Sequence, residues 1–426
     1  MTEPQLRRTL TWVQGTAMAV GAVLGSGVLI LPTITAEQSG PAAIVAWLGM
    51  SLLAFPLALT IGRLGARYPH AGGIVEYARL AFGPMAGRLT GWLFLGTIPI
   101  GVPIIALVGA SYAASVLGLP LWTIPLMAAA MLASSLYLNF RGVELAGWVQ
   151  VLLLSLIAIL MLTAILAAMP HMSATAFHPF APHGWLSVGT SAVEIFWCFI
   201  GWEMVAHLAE EFHDPGRDLR RIFTLAPALV GVLYVLLSLV TVGAHAYGSA
   251  ADRIAPLSQL VGIGLGRVGS AVTGSVALLI ALVAIHGNIA GFSRMVYAQA
   301  RAGDFPAILG KLHARRQTPV AALVALGADF TVVLIVYTVF HVNLGTLVKW
   351  PSVVFLVLYM VAMAAALRLL KGERAAGWLA LAPLVVCAGL YPLSGWACVY
   401  PLVLGGVGWL FSRRKTAKPT PVAKSV

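Results

Sequence analysis

Two long apolar stretches of the chain are interrupted near their middles, at corresponding places in two halves. The first stretch covers about residues 12–38 and contains GAVLGSGV at 21–28, and the second covers about 186–208 and contains FWCFIGWE at 196–203. Inside hydrocarbon every backbone N–H and C=O needs a partner, so non-helical backbone is tolerated only where it lines a cavity or lies within protein. Paired interruptions of this kind predict a midplane binding site between the two halves.

The composition is that of a membrane protein. Of the 426 residues 60% are apolar and 9% are charged, and the mean hydropathy is +0.93, which excludes an ordinary soluble domain. Because one membrane-spanning helix needs about 20 mostly apolar residues, the sequence predicts an all-α polytopic protein with about twelve spans. Their approximate limits are 12–38, 41–66, 86–117, 120–138, 142–169, 186–208, 222–247, 268–300, 319–341, 343–370, 375–391 and 394–412.

The formal net charge of +12 is explained by topology rather than by nucleic-acid binding. If the N-terminus is cytoplasmic, 23 of the 26 basic residues fall in cytoplasmic segments, the exceptions being Arg253, Arg267 and Lys349. Cytoplasmic loops carry such an excess of Lys and Arg. The pattern therefore predicts an inner-membrane protein with both termini cytoplasmic, contacting lipid and no nucleic acid. The first apolar run is long enough to be a full span and is expected to stay attached.

The chain is expected to form one membrane domain built from two repeats. Repeat 1 covers about 12–169 and repeat 2 about 186–370, followed by two extra helices at about 375–412 and a basic cytoplasmic tail at 413–426. Because each repeat has five spans, an odd number, the second is predicted to be inserted upside down relative to the first. The polar stretches are too short for a soluble catalytic domain, so no enzyme is expected.

The first interruption suits a carboxylate. Gly25 and Gly27 give a flexible backbone that a ligand can approach closely, and unwinding exposes N–H groups at the positive end of the next half-helix. The Ser26 hydroxyl can add one hydrogen bond. The alternative is a tight helix–helix contact, because Gly21 and Gly25 also fit a small-xxx-small pattern.

The second interruption suits an ammonium group. Unwound carbonyls near Trp197, Cys198 and Ile200 can accept its hydrogen bonds, and the Trp197 indole can cover a ligand or form a cation–π contact. The alternative for Trp197 is ordinary packing, and the role of Cys198 is left open. The chain's other cysteines, Cys387 and Cys398, are expected to be small buried apolar groups.

Several ionisable or polar residues lie inside spans. Because such residues are costly to bury in hydrocarbon, each is predicted to have a function. Glu203 is the strongest candidate for a proton carrier or gate, the alternative being a neutral carboxyl hydrogen-bonded in the bundle. Glu194 and Asp329 are further candidates. Lys349, near the outer end of span 10, is expected to extend to the interface, and Asn288 to face the bundle or a cavity.

No metal or other cofactor is predicted. The loop at about 169–185 carries His171, His178 and His183, but these are spaced widely and no carboxylate accompanies them. The Glu- and His-rich stretch at 203–213 has no second Glu-x-x-His motif of the kind that di-iron bundles use. The cysteine spacing matches neither a metal site nor a disulfide framework.

A series of short motifs occurs in order along about 300 residues. They are GSGV at 25–28, YPHAGG at 68–73, GV at 142–143 with Gln150, FWCFIGWE at 196–203, EE at 210–211 with DPGRD at 214–218, and SR at 293–294 with RAGD at 301–304. Taken together, these motifs resemble the amino acid–polyamine–organocation superfamily. Within it, the segments at 91–101 and 196–209 are most similar to bacterial exporters of L-methionine and branched-chain amino acids.

The resemblance implies a leucine-transporter-type 5+5 inverted repeat with helices 1 and 6 broken. It implies that residues 25–27 hold the substrate carboxylate, that the 197–200 segment supplies amino-group carbonyls and a lid, and that Glu203 takes part in gating or proton coupling. Some proton-coupled members carry a lysine in span 5, and 142–169 has none. The substrate-binding residues implied are Gly25, Ser26, Gly27, Trp197, Cys198, Ile200, Asn288 and Ser352.

The sequence thus predicts a secondary transporter that exports neutral, hydrophobic amino acids by alternating access. An uptake permease or antiporter for amino acids or polyamines is the alternative within the superfamily, and a membrane receptor or sensor is the alternative outside it. The substrate is an amino acid such as methionine, leucine, isoleucine or valine. The coupling proton or cation, the direction of transport and the oligomeric state are left open.

Overall fold

The computed structural model describes residues 11–68, 72–142, 147–202, 212, 214–301, 303–313, 318–372 and 374–413. Its elements are helices joined by turns. Short 3-10 helices occur at Ser26–Leu29, Gly40–Ala42, Met169–His171, Ala174–Phe177, Phe196–Phe199, Ala307–Gly310 and Tyr391–Cys398. The α-helices are α1 (Trp12–Val23), α2 (Leu31–Ser39), α3 (Ala43–Arg67), α4 (Gly73–Phe82), α5 (Pro84–Leu95), α6 (Ile98–Leu117), α7 (Thr123–Arg141), α8 (Gly147–Ala168), α9 (Trp185–Ile195), α10 (Pro215–Gly243), α11 (Ala250–Ile254), α12 (Pro256–Arg301, kinked at Gly266), α13 (Val320–Val339), α14 (Leu344–Leu369), α15 (Arg374–Leu390) and α16 (Val399–Arg413).

The all-α membrane character predicted from the sequence is confirmed. Within the described residues, eight helical stretches are long and apolar enough to cross a membrane. The count of twelve spans stays a prediction. The two broken spans consist of helices too short to be counted alone, and some of the eight stretches include parts of two predicted spans. The eight stretches are Leu31–Arg67, Pro84–Leu117, Thr123–Arg141, Gly216–Gly243, Pro256–Arg301, Val320–Val339, Leu344–Leu369 and Ala376–Ser412.

The interruption predicted in span 1 is present, and we call residues 24–30 the first break. Helix α1 starts at a capping box formed by Thr11 and Gln14 and ends at Val23. Regular α-helix resumes at Leu31, with Pro32 in the first turn of α2. Glycines are poor helix formers, and a proline in the first turn lacks the N–H that would continue an earlier helix. Local sequence therefore accounts for this break.

The interruption predicted in span 6 is also present, and we call residues 196–201 the second break. Helix α9 passes into a 3-10 turn that ends at Phe199, and Ile200 is extended, with φ −90° and ψ 143°. Gly201 has φ +128°, a conformation that side chains with a Cβ rarely adopt. The chain has left the helix by Ile200, and Gly201 permits the backbone turn that follows before residue 202. Glu203 lies outside the described residues.

A third interruption was not predicted. Residues 86–117 were expected to form one span, and the stretch Pro84–Leu117 agrees with this. Within it, α5 and α6 are separated at Gly96 and Thr97. Pro99 stands in the first turn of α6 and cannot donate a backbone hydrogen bond into α5. The Tyr400 hydroxyl, from α16, donates to the freed Gly96 carbonyl at 3.1 Å. The interruption is thus satisfied by a helix distant in sequence.

Matching helices of the two halves pack against each other. Helix α2 contacts α9, α3 contacts α10, and α6 contacts α12, which pairs spans 1, 2 and 3 with spans 6, 7 and 8. These contacts put both breaks at the centre of the bundle. The inverted relation between the halves, and the leucine-transporter-type arrangement that it implies, stay predictions.

Candidate functional site

The two breaks touch each other at Gly27. A Cβ placed on Gly27 would lie 2.6 Å from Cδ1 of Trp197 and 2.7 Å from Sγ of Cys198. Contacts this short are not tolerated between real side chains, so only glycine fits here without displacing the second break. The sequence signal at 25–27 therefore has a tertiary reason in addition to its local one.

The Trp197 indole lies between the first break and α6. A Cβ on Gly101 of α6 would lie 2.7 Å from the indole Cη2, so this glycine also makes room for the ring. Trp197 and Ile200 are half-buried, whereas Phe196 and Phe199 are fully buried. Trp197 and Ile200 are thus the side chains of the second break that a ligand can reach.

Tyr234 of α10 joins the two breaks. Its hydroxyl lies 2.9 Å from the Val23 carbonyl oxygen at the end of α1 and 3.1 Å from the Cys198 carbonyl oxygen. The residue is fully buried, and its ring makes edge-on contacts with Trp47 at 5.3 Å and Phe199 at 5.2 Å between centroids. The single hydroxyl proton is thus shared between one carbonyl oxygen from each helix interruption. The Val23 oxygen also accepts from the Gly25 N–H at 2.7 Å.

Tyr112 of α6 anchors the other end of the first break. Its hydroxyl donates to the Leu29 carbonyl oxygen at 2.7 Å and accepts from the Leu257 N–H at 3.0 Å. Tyr112 is fully buried. The two tyrosines thus hold both ends of the first break from neighbouring helices.

The half-helices that lead away from the breaks, α2 and α9, are joined by polar side chains. The Gln38 amide lies 2.9 Å from Oγ1 of Thr190, and the Ser39 and Ser191 hydroxyl oxygens are 2.8 Å apart. Both serines are fully buried. Such contacts supply specific pairing between apolar helices in a membrane.

An ion pair ties this junction to α14. Lys349 Nζ lies 3.0 Å from a Glu194 carboxylate oxygen, and only 3% of the Glu194 side chain is exposed. With its nitrogen facing the carboxylate, the Gln38 amide lies 3.2 Å from both Glu194 oxygens. The expectation that Lys349 extends to the interface stays a prediction: its side chain is 23% exposed while its ammonium group contacts the buried carboxylate. We call Gln38, Glu194 and Lys349 the buried latch.

The segment from Ala244 to Ala255 packs against α2, the half-helix that also carries Gln38. The Glu37 carboxylate oxygens accept from Arg253 Nε at 2.9 and 3.0 Å, and Oε1 also accepts from the Gly248 N–H at 3.1 Å. The Thr33 hydroxyl donates to the Ala246 carbonyl oxygen at 3.3 Å. Residues 244–255 therefore cover the half-helix that leaves the first break, and we call them the covering loop.

Comparison with known proteins identifies the family of this chain. A family model described as amino acid permease matches residues 10–413. The chain belongs to the amino acid permease family. Among similar proteins, a protein of Bacillus subtilis named uncharacterized amino acid permease YecA is 46% identical over 412 residues, covering 97% of each chain.

Two further relatives of this permease carry substrate names. The L-methionine/branched-chain amino acid exporter YjeH of Escherichia coli is 31% identical, covering 96% of this chain and 98% of that one. The branched-chain amino acid permease BcaP of Lactococcus lactis is 27% identical, covering 70% of each chain. The relatives are permeases and transporters, and the prediction that the chain is not an enzyme is confirmed.

The structure brings six of the predicted binding residues of this permease together. The two adjoining breaks contain Gly25, Ser26, Gly27, Trp197, Cys198 and Ile200. Gly25 is exposed, and a Cβ on it would meet nothing nearer than a backbone oxygen 3.9 Å away. The backbone of Ser26 opens the 3-10 turn of the first break. Their contact with substrate stays a prediction.

Asn288 and Ser352 lie on helices that contact the breaks. Asn288 is half-buried on α12, which packs against the first break, and its amide donates to the Ala284 carbonyl oxygen at 2.8 Å. Ser352 is fully buried on α14, which packs against the second break, and its hydroxyl donates to the Val348 carbonyl oxygen at 2.7 Å. Both polar groups are thus engaged within their own helices.

The sequence interpretation missed both tyrosines and Glu37. A signal for Tyr234 and Tyr112 was present, because a tyrosine inside an apolar span needs a partner for its hydroxyl. The partner carbonyls could not be identified without knowing where each break lies relative to α6 and α10. Asp329, which the sequence did single out, has a buried Oδ2 with no hydrogen-bond partner among the described residues.

Proposed function

We propose that this protein is a secondary active transporter that exports neutral, hydrophobic amino acids across the inner membrane by alternating access. The observation that carries the proposal is the contact of Gly27 with Trp197 and Cys198, which joins the two breaks into one site. Irregular backbone inside a membrane bundle is retained where it lines a ligand cavity.

The polar ends of an amino acid match the two breaks. The first N–H groups of the turn that begins at Ser26 have no carbonyl acceptor within their own helix, and they suit the substrate carboxylate. The carbonyls of Trp197, Cys198 and Ile200 suit its ammonium group. The Cys198 oxygen keeps a second lone pair while it accepts from Tyr234, because a carbonyl oxygen has two.

The side-chain pocket favours neutral, apolar substrates. Trp197 and Ile200 supply apolar surface, and Pro103 lies on α6 two residues after Gly101, which contacts the indole. We assign L-methionine, leucine, isoleucine and valine as substrates. The printed names of YjeH and BcaP, which both include branched-chain amino acids, support this assignment.

Alternating access needs a face that closes. The buried latch and the covering loop occupy the same end of the bundle, and the distribution of Lys and Arg predicts that this end lies outside. We propose that these contacts form the closed outer face. On this proposal Glu203 couples or gates transport, and Glu203→Gln is expected to alter the dependence of transport on pH or on a cation gradient.

Counterflow in proteoliposomes tests the proposal. Vesicles loaded with unlabelled methionine should transiently accumulate a trace of labelled methionine, and Gly27→Trp should abolish this because its side chain would overlap Trp197 and Cys198. Gly49→Trp is the matched control, since a Cβ there meets nothing within 4 Å. Absence of accumulation with methionine, leucine, isoleucine and valine would overturn the substrate assignment.

The direction of transport needs a separate measurement. Relatives are named both as an exporter and as a permease, so uptake is the competing function. Cells that express the protein and are preloaded with a methionine-containing dipeptide should release methionine faster than cells expressing Gly27→Trp. Faster uptake of external methionine without faster release would favour the uptake permease.

A further inference from the structure

A large apolar groove lies away from the two breaks, on the flank formed by α5, α14, α15 and α16. Its volume is about 620 Å³. Its lining is almost entirely hydrocarbon. The lining residues are Phe82, Ala86, Leu89, Thr90, Leu93, Val357, Met360, Val361, Ala364, Leu384, Tyr391, Pro401, Leu402 and Gly405.

The two hydroxyl groups that line the groove are already used inside the protein. The Thr90 hydroxyl donates to the Ala86 carbonyl oxygen at 2.8 Å, and the Tyr391 hydroxyl donates to the Cys398 carbonyl oxygen at 2.6 Å. An amino acid placed here would lose the hydrogen bonds of its charged groups to water. The groove therefore suits a hydrocarbon chain and not the transported substrate.

The groove together with the arginine beyond it extends over about one membrane leaflet along α14. On α14 its lining residues Val357, Val361 and Ala364 follow a helical stripe, and the next position of that stripe is Arg368. At a rise of about 1.5 Å per residue, the distance from Val357 to Arg368 along the helix is about 16 Å. One leaflet contributes about half of the ~30 Å hydrocarbon core.

A positive charge lies at one end of the groove. The Arg368 guanidinium carbon is 5.8 Å from the centroid of the Phe82 ring, which lines the groove, and Arg368 is exposed. Lys371, one turn further along the chain, is exposed as well. An apolar cleft that, with the cation at its rim, extends over about one leaflet matches the charge and shape of an anionic phospholipid.

We propose that this groove binds an anionic phospholipid, with one acyl chain along α14 and the headgroup phosphate on Arg368. The phospholipid belongs to the leaflet at whose surface Arg368 lies. The site is independent of the proposed substrate site and of the direction of transport.

Native mass spectrometry of the purified full-length protein tests this proposal. Phosphatidylglycerol should bind more tightly than phosphatidylcholine with the same acyl chains. Arg368→Gln should weaken phosphatidylglycerol binding about fivefold, the effect of one basic residue near an anionic headgroup, and should leave phosphatidylcholine binding unchanged. Arg141→Gln is the matched control, because its guanidinium carbon also lies 5.8 Å from an aromatic ring, that of Tyr137, on a helix that does not line the groove.

Filling the groove gives a second test that does not depend on charge. Ala364→Trp should reduce the number of tightly bound phosphatidylglycerol molecules by one, whereas Ala130→Trp, at an exposed position on α7, should not. Equal binding of the two lipids to the unmodified protein, or equal effects of Arg368→Gln and Arg141→Gln, would overturn the proposal. A protein dimer that dissociates on Ala364→Trp, without loss of lipid, would assign the groove to a second copy of the chain and also overturn it.

Discussion

The Tyr234 hydroxyl lies 3.1 Å from the carbonyl oxygen of Cys198 and holds the second break against α10. The same hydroxyl lies 2.9 Å from the Val23 carbonyl oxygen, so one oxygen atom contacts a backbone carbonyl at each break. If the proposed transport moves the broken helices, we expect this contact to couple their movements.

Tyr234→Phe should impair transport while leaving the fold intact. The substitution keeps the ring that packs on Trp47 and Phe199. It removes the one hydroxyl proton that the Val23 and Cys198 carbonyl oxygens share, at a cost of about 1–3 kcal/mol. We expect counterflow to fall by about tenfold or more, with a modestly lower melting temperature in detergent. Tyr337→Phe, at a half-buried position on α13, serves as the control. Equal counterflow in the two variants would contradict the role given to Tyr234.

Gly101→Ala should displace the Trp197 indole. Its new methyl group would meet the opposite end of the ring from the one that Gly27 contacts. Its Cβ would lie 2.7 Å from the Trp197 indole, and overpacking of this kind costs about 1–3 kcal/mol. We expect the apparent KM for methionine to rise, because the ring must move from its present position. The double variant Gly101→Ala/Trp197→Ala removes the overlap and should resemble Trp197→Ala alone. A double variant with additive losses would show that Gly101 acts through something other than the indole.

Breaking the buried latch should destabilise the protein more than breaking a surface pair. Glu194→Gln leaves the Lys349 ammonium without its carboxylate, and because 23% of the lysine side chain is exposed to solvent we expect a loss of about 1–3 kcal/mol, below the usual cost for a fully buried pair. The charge-swapped variant Glu194→Lys/Lys349→Glu should recover part of it. Thermal unfolding in detergent measures both. If the charge-swapped variant recovers no stability, the geometry around Gln38 contributes more to stability than the charge pair does.

Arg253→Gln should release the covering loop with little effect on stability. The Arg253 side chain is 64% exposed, and exposed ion pairs contribute at most about 1 kcal/mol. A cysteine at Thr33 reports the position of the loop, because Thr33 is buried beneath Ala246. Thr33→Cys is introduced into a variant that lacks the three native cysteines. A membrane-impermeant thiol reagent should label this cysteine faster in Arg253→Gln. Arg267→Gln is the control, and equal labelling in both would contradict the proposed cover.

The positions of the breaks could be predicted from the sequence because their causes are local. Gly25 and Gly27 weaken the first helix, and Pro32 cannot continue one. In the second break Gly201 adopts a positive φ that other residues rarely adopt. The separation of α5 from α6 was missed although Pro99 was visible in the sequence. A proline inside a membrane helix often only bends it, and it was Tyr400, from the far end of the chain, that satisfied the freed carbonyl.

The sequence by itself determined the membrane class, the family and the places where two spans unwind, because hydropathy and backbone propensity act over a few neighbouring residues. Only the tertiary structure decided which groups meet. The pairing of Lys349 with Glu194 was not predicted. Neither was the contact of Tyr234 with two breaks that are far apart in the chain. The physical reason is that a buried charge or hydroxyl is stabilised by whichever complementary group the fold brings within about 3 Å, and that distance depends on the packing of whole helices.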